Sequence, residues 1–131
     1  MRRLIFRLLG LLVVIGLLGV WWVYLGASRH EVPDTPELQA SLAQGEALFG
    51  RHCSACHGAK AAGSEKGPPL IDAYYRPDNH GDLLFIKAVQ DGVGQHHWKF
   101  GDMPPIEGLS VPQISHIIHY VRALQRANGI Y

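Results

Sequence analysis

The chain has 131 residues, 47% of them hydrophobic, with 12 Lys and Arg against 11 Asp and Glu and a formal net charge of +1. That length holds one domain of ordinary size plus an appendage. Arg2, Arg3 and Arg7 flank the start of the first apolar run, so the remainder has nine basic against eleven acidic residues and is slightly negative. This excludes nucleic acid as a partner, since phosphate binding needs a basic patch or stripe.

From Leu8 to Leu25 eighteen residues pass without a charge, about the minimum for a helix that crosses a bilayer. Leu4 to Phe6 extend the apolar character. Basic residues at the front keep the N-terminus cytoplasmic and send the following chain outside, and Trp21, Trp22 and Tyr24 read as an interfacial belt. Residues 1–26 are therefore expected to be a single membrane anchor in contact with lipid. A cleaved signal peptide is the rival reading, although its apolar region is usually shorter and ends at a small-x-small site. Cleavage after Ala27 fits that site badly, because Leu25 would lie three positions before the cut; cleavage after Ser28, with Gly26, fits better. No Cys lies near the end of the run, which excludes a lipoprotein anchor. Residues 27–35 read as a tether, at most roughly 30 Å long, and residues 36–131 as the remaining domain.

Thr35 is a suitable N-cap, with Pro36 at the first helical position and Glu37 in the first turn, so a helix is expected to begin here. Leu38, Leu42 and Phe49 are its apolar positions. Gly45 either lies inside this helix or divides it, since Gly disfavours a helix interior by about 1 kcal/mol.

Both cysteines of the chain lie in Cys53-Ser54-Ala55-Cys56-His57-Gly58. Cys-x-x-Cys-His is the attachment signature of haem c. Two thiols add across the two vinyl groups of one porphyrin, and the adjacent imidazole then lies beneath the iron; one helical turn delivers all three groups. A structural zinc site would need about four ligands, and no second Cys pair exists. A thioredoxin-like pair belongs near a βαβ pattern, whereas these surroundings read helical. A plain disulfide would leave His57 unexplained.

Beyond the motif, a loop rich in Gly, Ala, Ser and Lys leads to Gly67-Pro68-Pro69-Leu70, and Pro77 to Gly81 form a turn cluster. Asp82 to Asp91 read as a helix with Leu83, Ile86 and Val89 or Gln90 on successive turns, stopped by Gly92. A loop from Gly92 to Gly101 carries His96, His97, Trp98 and Phe100 and leads to Met103. Ser110-Val111-Pro112-Gln113 has the form of a capping box. Ile114, Ile117, Ile118, Val121 and Leu124 then give one apolar helical face, which ends at Asn128-Gly129.

Taken together, Gly45-Glu46-Ala47-Leu48-Phe49, the haem motif, Gly67-Pro68-Pro69-Leu70, Gly101-Asp102-Met103-Pro104-Pro105 and the closing amphipathic helix resemble a small bacterial class I c-type cytochrome over about residues 36 to 129. The resemblance implies an all-α domain of three to four helices around one covalent haem c. Its first helix would cross the C-terminal helix closely, with Gly45 permitting the approach and Phe49 and Tyr120 filling it. The Pro68 carbonyl would take the second ring N–H of His57, Leu70 would pack on the haem face, and Met103 would be the second axial ligand. A thioether favours ferrous haem and raises the reduction potential.

Besides His57 the chain has seven histidines, of which His80, His96, His97, His116 and His119 lie beyond the haem motif. His116 and His119 are helix neighbours. The five read as surface histidines, as contacts to haem propionates near Trp98, or as part of a second metal site. The expected function is a single-electron carrier, not an enzyme. It would sit on a bacterial cytoplasmic membrane with its haem domain on the periplasmic side. Its partners would be a membrane reductase or dehydrogenase and a terminal oxidase. The alternatives are a haem subunit built into a larger redox enzyme and a haem-based gas sensor.

Overall fold

The computed structural model describes residues 2–27 and 34–131 and, within the first stretch, the side chains of Arg7 and Gly10–Val23. Contacts divide the chain into two units, Met1–Pro33 and Asp34–Tyr131. The first holds helix α1, Arg2–Ala27, whose side chains from Gly10 to Val23 are exposed. Among the described residues no helix is long and apolar enough to cross a membrane. Gly10–Val23 falls short of the roughly 20 residues a span needs, and the uncharged run of the sequence passes beyond it on both sides. The tether read over residues 27–35 lies, for 28–33, outside the described residues.

The second unit contains α2 (Pro36–His52), α3 (Ser54–His57), α4 (Asp82–Asp91) and α5 (Val111–Ala127), with short 3-10 turns at Ala59–Ala61 and Ala73–Tyr75. Thr35 caps α2, its hydroxyl accepting from the Leu38 N–H at 3.2 Å, a contact of the kind worth about 1 kcal/mol. α2 runs through Gly45 without a break. Its buried face is Ser41, Gly45, Leu48 and Phe49; Leu38 and Leu42 are only half-buried.

α2 crosses α5 at Gly45. A Cβ there would lie 2.0 Å from the His116 carbonyl oxygen and 2.9 Å from Tyr120 Cβ, so only glycine lets the two backbones meet. Phe49 and Tyr120 fill the space beside the crossing, ring centroids 5.6 Å apart. With Leu48, Ala61, Ile117 and Val121 they form the larger core cluster. Each such large side chain, fully buried, contributes about 1.5–3 kcal/mol.

α4 packs on the next stripe of α5, Val89 against Ile114 and Ile118, with Phe85, Ile86 and Met103 alongside. Leu83, expected on that inner face, is instead 80% exposed. The face that packs is Phe85, Ile86 and Val89, spaced by one, three and four residues as a helical stripe requires. At the start of α5 the Ser110 backbone N–H donates to Gln113 Oε1 at 2.9 Å, the returning half of a capping box.

Candidate haem site

Cys53 closes α2, its N–H bonded to the Phe49 carbonyl at 2.9 Å, and α3 begins at the next residue. Because α3 is a single turn, Cys53, Cys56 and His57 are presented together. Gly58 then turns the chain with φ +74°, and a Cβ there would lie 2.1 Å from the Gly63 carbonyl oxygen. Lys60 and Ala61 follow with φ of 53° and 59°, a left-handed conformation that costs a non-glycine residue about 1–3 kcal/mol. Tertiary contacts hold it: Ala61 is fully buried, and its carbonyl accepts from the Leu70 N–H at 2.9 Å.

That bond lays Pro68 to Leu70 beside α3. The His57 ring is buried, and its Nδ1 lies 2.9 Å from the Pro68 carbonyl oxygen. A carbonyl can only accept, so Nδ1 carries the hydrogen and Nε2 presents its lone pair. Burial pushes the His57 pKa down, against the Pro68 hydrogen bond, and keeps the ring in the neutral form a metal requires. The Cys53 thiol is pushed up to about 11 by burial, with Cys56 adding to the shift.

The Met103 backbone is pinned in a two-bond bridge with Val93, at 2.9 and 2.8 Å. Across the same loop the Gln95 N–H donates to Asp102 Oδ1 and the Gly101 N–H to Gln95 Oε1, both at 2.7 Å. The residues from 94 to 102 thus form a lobe tied at its base.

One cavity of about 550 Å³ lies between these segments, within the size range of cofactor pockets. Cys53, His57, Pro68, Leu70, Trp98 and Met103 all line it. Cys56 does not; it is exposed. The indole N–H of Trp98 is buried without a partner. It lies near enough to the Tyr75 hydroxyl to favour the phenolate slightly, but not in hydrogen-bond geometry. An orphaned buried donor is uncommon, and in this cavity it suits an anionic group on a bound molecule. A mostly apolar cleft, two thiols three residues apart, an imidazole with a free lone pair and an unpaired donor fit a haem attached at Cys53 and Cys56.

Two residues that the sequence pattern does not single out hold one wall of the cleft. Arg122 is 7% exposed and donates to Asp82 Oδ1 at 2.9 Å, to the Tyr75 carbonyl and Gln125 Oε1 at 2.7 Å, and to the His80 carbonyl. Gln125, 1% exposed, donates through Nε2 to the carbonyls of Leu70 and Tyr75 at 2.8 and 3.0 Å. Leu70, Tyr75 and His80 are thereby tied to α5. Arg and Gln three residues apart on α5, bordering its apolar stripe, were the only available signal.

His116 and His119 lie away from the cleft, both Nδ1 atoms converging on Ser41 Oγ at 2.7 and 2.8 Å. A serine hydroxyl joins them. Among the described residues no group of three or more metal-ligating side chains is found.

Residues 42–125 match the cytochrome c family, and the chain belongs to that family. Its members carry electrons on a covalently bound haem c and exchange them with other redox proteins. Comparison with curated proteins gives no match.

Proposed function

We propose that the chain is a mono-haem electron carrier with His57 and Met103 as the two axial ligands, held at a bacterial cytoplasmic membrane by residues 1–26 with its haem domain on the periplasmic side. Bound haem supplies one-electron iron chemistry. The chain's own residues do the rest: Cys53 and Cys56 fix the group covalently, and the Pro68 carbonyl orients the His57 ring and makes its Nε2 a stronger donor. Met103 contributes a neutral thioether, which favours the reduced state. With His57 and Met103 both bound to the iron, no position would be open to a substrate, which suits transfer of electrons and not catalysis. The observation that carries this reading is that Cys53, His57 and Met103 line one cavity while the Pro68 carbonyl holds the imidazole.

The anchor rests on the sequence: an uncharged run from Leu8 to Leu25 behind basic residues. The donor would be a membrane reductase or dehydrogenase, and the acceptor a terminal oxidase or another periplasmic protein.

Met103→Ala tests the ligand pair. It should erase the weak sulfur-to-iron charge-transfer band of the oxidised protein and lower the reduction potential, while His96→Ala and His97→Ala leave the band in place. Loss of the band in either histidine variant, with its retention in Met103→Ala, would move the axial assignment to that histidine.

A further inference from the structure

His116 and His119 stand three residues apart on α5, which places their rings side by side on one face of the helix. Their centroids are 6.5 Å apart and their planes meet at 77°. Neither ring lines the haem cleft. Both turn the same nitrogen to one point on α2: Nδ1 of His116 lies 2.7 Å, and Nδ1 of His119 2.8 Å, from Ser41 Oγ.

That point is held firmly. Ser41 is 8% exposed and lies one helical turn before Gly45, where the backbones of α2 and α5 meet at His116. The hydroxyl and the His116 backbone therefore cannot drift apart without opening the crossing. His116 is half-buried and His119 exposed, so an ion reaches the pair from solvent.

Hydrogen bonding leaves both nitrogens able to bind it. A hydroxyl has one hydrogen to donate, so it serves one Nδ1, and the other Nδ1 must carry its own hydrogen and donate to Oγ. The two rings are held as different tautomers, and exchanging their roles breaks no bond. His57, His80 and His96 differ, because each Nδ1 faces a backbone carbonyl, which only accepts and so fixes the hydrogen there. His116 and His119 can both free an Nδ1 lone pair toward one place, at the loss only of bonds to a hydroxyl that water replaces.

Two neutral imidazoles aimed at a shared, accessible point are ligands for a divalent transition metal. Imidazole suits Zn and Cu, and along the first-row divalent ions affinity peaks at Cu2+. Hard ions such as Ca2+ and Mg2+ prefer sets of oxygen ligands. Among the described residues no Asp, Glu, Cys or third His joins these rings in a group of three, so the oxygen-rich cage such ions need is lacking.

We propose that His116 and His119 form a binding site for a single Cu2+ or Zn2+ ion, bonded through both Nδ1 atoms, with water at the remaining positions beside the Ser41 hydroxyl. On binding, the ring that carries its hydrogen at Nδ1 loses it to solvent and gains one at Nε2. Both rings stay neutral, and no net proton is released. With two side-chain ligands in place of the four of a structural zinc site, the ion exchanges with solvent. The site is separate from the haem cleft and does not depend on which residue is the second axial ligand.

The experiment uses the full chain carrying oxidised haem, in detergent, as wild type, His116→Gln, His119→Gln and, as control, the double variant His96→Gln/His97→Gln. Zn2+ binding is followed by equilibrium dialysis, and Cu2+ binding by its electron paramagnetic resonance, which is distinct from that of the haem iron. The wild type should retain a single ion, and its copper signal should carry hyperfine coupling from two imidazole nitrogens. Removing even a residue that only supports a metal ligand costs about 10–100-fold in affinity. Loss of a ligand itself, in His116→Gln or His119→Gln, should therefore weaken binding by at least about tenfold and leave one nitrogen coupling. The control should bind as the wild type does. His119 is exposed, so His119→Gln keeps the core intact, which circular dichroism verifies. The proposal is overturned if the wild type retains neither ion, if His119→Gln binds as tightly as the wild type, or if binding is lost in the control alone.

Discussion

Gly45 on α2 and His116 on α5 approach so closely that a methyl group on the first would sit 2.0 Å from the carbonyl oxygen of the second. The obstacle is backbone and cannot rotate away, so the helices must part. Gly45→Ala should therefore destabilise the haem domain by about 3 kcal/mol, a fall of roughly 15 °C in thermal midpoint. Gly50, further along α2, has open space where a Cβ would stand, with nothing within 4 Å. Gly50→Ala should instead stabilise by about 0.5–1 kcal/mol. Thermal unfolding followed by circular dichroism compares the two, and equal effects would refute a close crossing at Gly45.

Arg122→Met should cost about 3 kcal/mol in denaturant unfolding, because it leaves the His80 carbonyl without its donor and opens the bond to Asp82. Gln125→Leu should cost about 2 kcal/mol by stranding the Leu70 carbonyl. The two variants together should cost less than the sum, since each alone already breaks the bond from Arg122 to Gln125 Oε1. Strict additivity in the double-mutant cycle would show that the two side chains do not form one network.

Tyr75 predicts a loss of stability at high pH. Burial raises its hydroxyl to about 12, while Trp98 partly offsets the shift, and in the unfolded chain it ionises near about 10. A group raised on folding contributes stability that is fully present below the unfolded value and is lost as pH rises through the folded one. Tyr120 is raised as well, by burial and by Glu46, and acts in the same sense. The difference between wild type and Tyr75→Phe isolates Tyr75: it should shift between about pH 10 and 12 and stay constant below. Guanidinium unfolding across that range is the measurement, and a constant difference throughout would sink the assignment.

Partition decides the anchor. The mature protein should fractionate with membranes and resist carbonate washing, because a span of the length of Leu8 to Leu25 is not extracted by alkali as a peripheral segment is. A freely soluble product with a mature N-terminus near Arg29 would establish a cleaved leader instead.

Much of the local structure was legible because it is written over short distances. Thr35-Pro36 marked the start of α2, Asp82 to Asp91 was bounded by turn residues and Gly92, and the period of Ile114, Ile117, Ile118 and Val121 gave the face of α5. Cys53, Cys56 and His57 stood out because covalent attachment demands a fixed spacing within one helical turn, a constraint no later packing can change.

Tertiary structure alone decided the rest. Leu83 has the hydropathy of a core residue, but its turn of α4 ends up facing away from α5. Arg122 and Gln125 have the polarity of surface residues, yet they are buried because the carbonyls of Leu70, Tyr75 and His80, remote in sequence, converge on them. A buried backbone acceptor must find a donor, and nothing in the order of residues tells which side chain will lie nearest. The same holds for the histidines. Sequence could count them and place His116 three residues before His119, but only folding put Ser41 between that pair and set His80, His96 and His97 along one cleft.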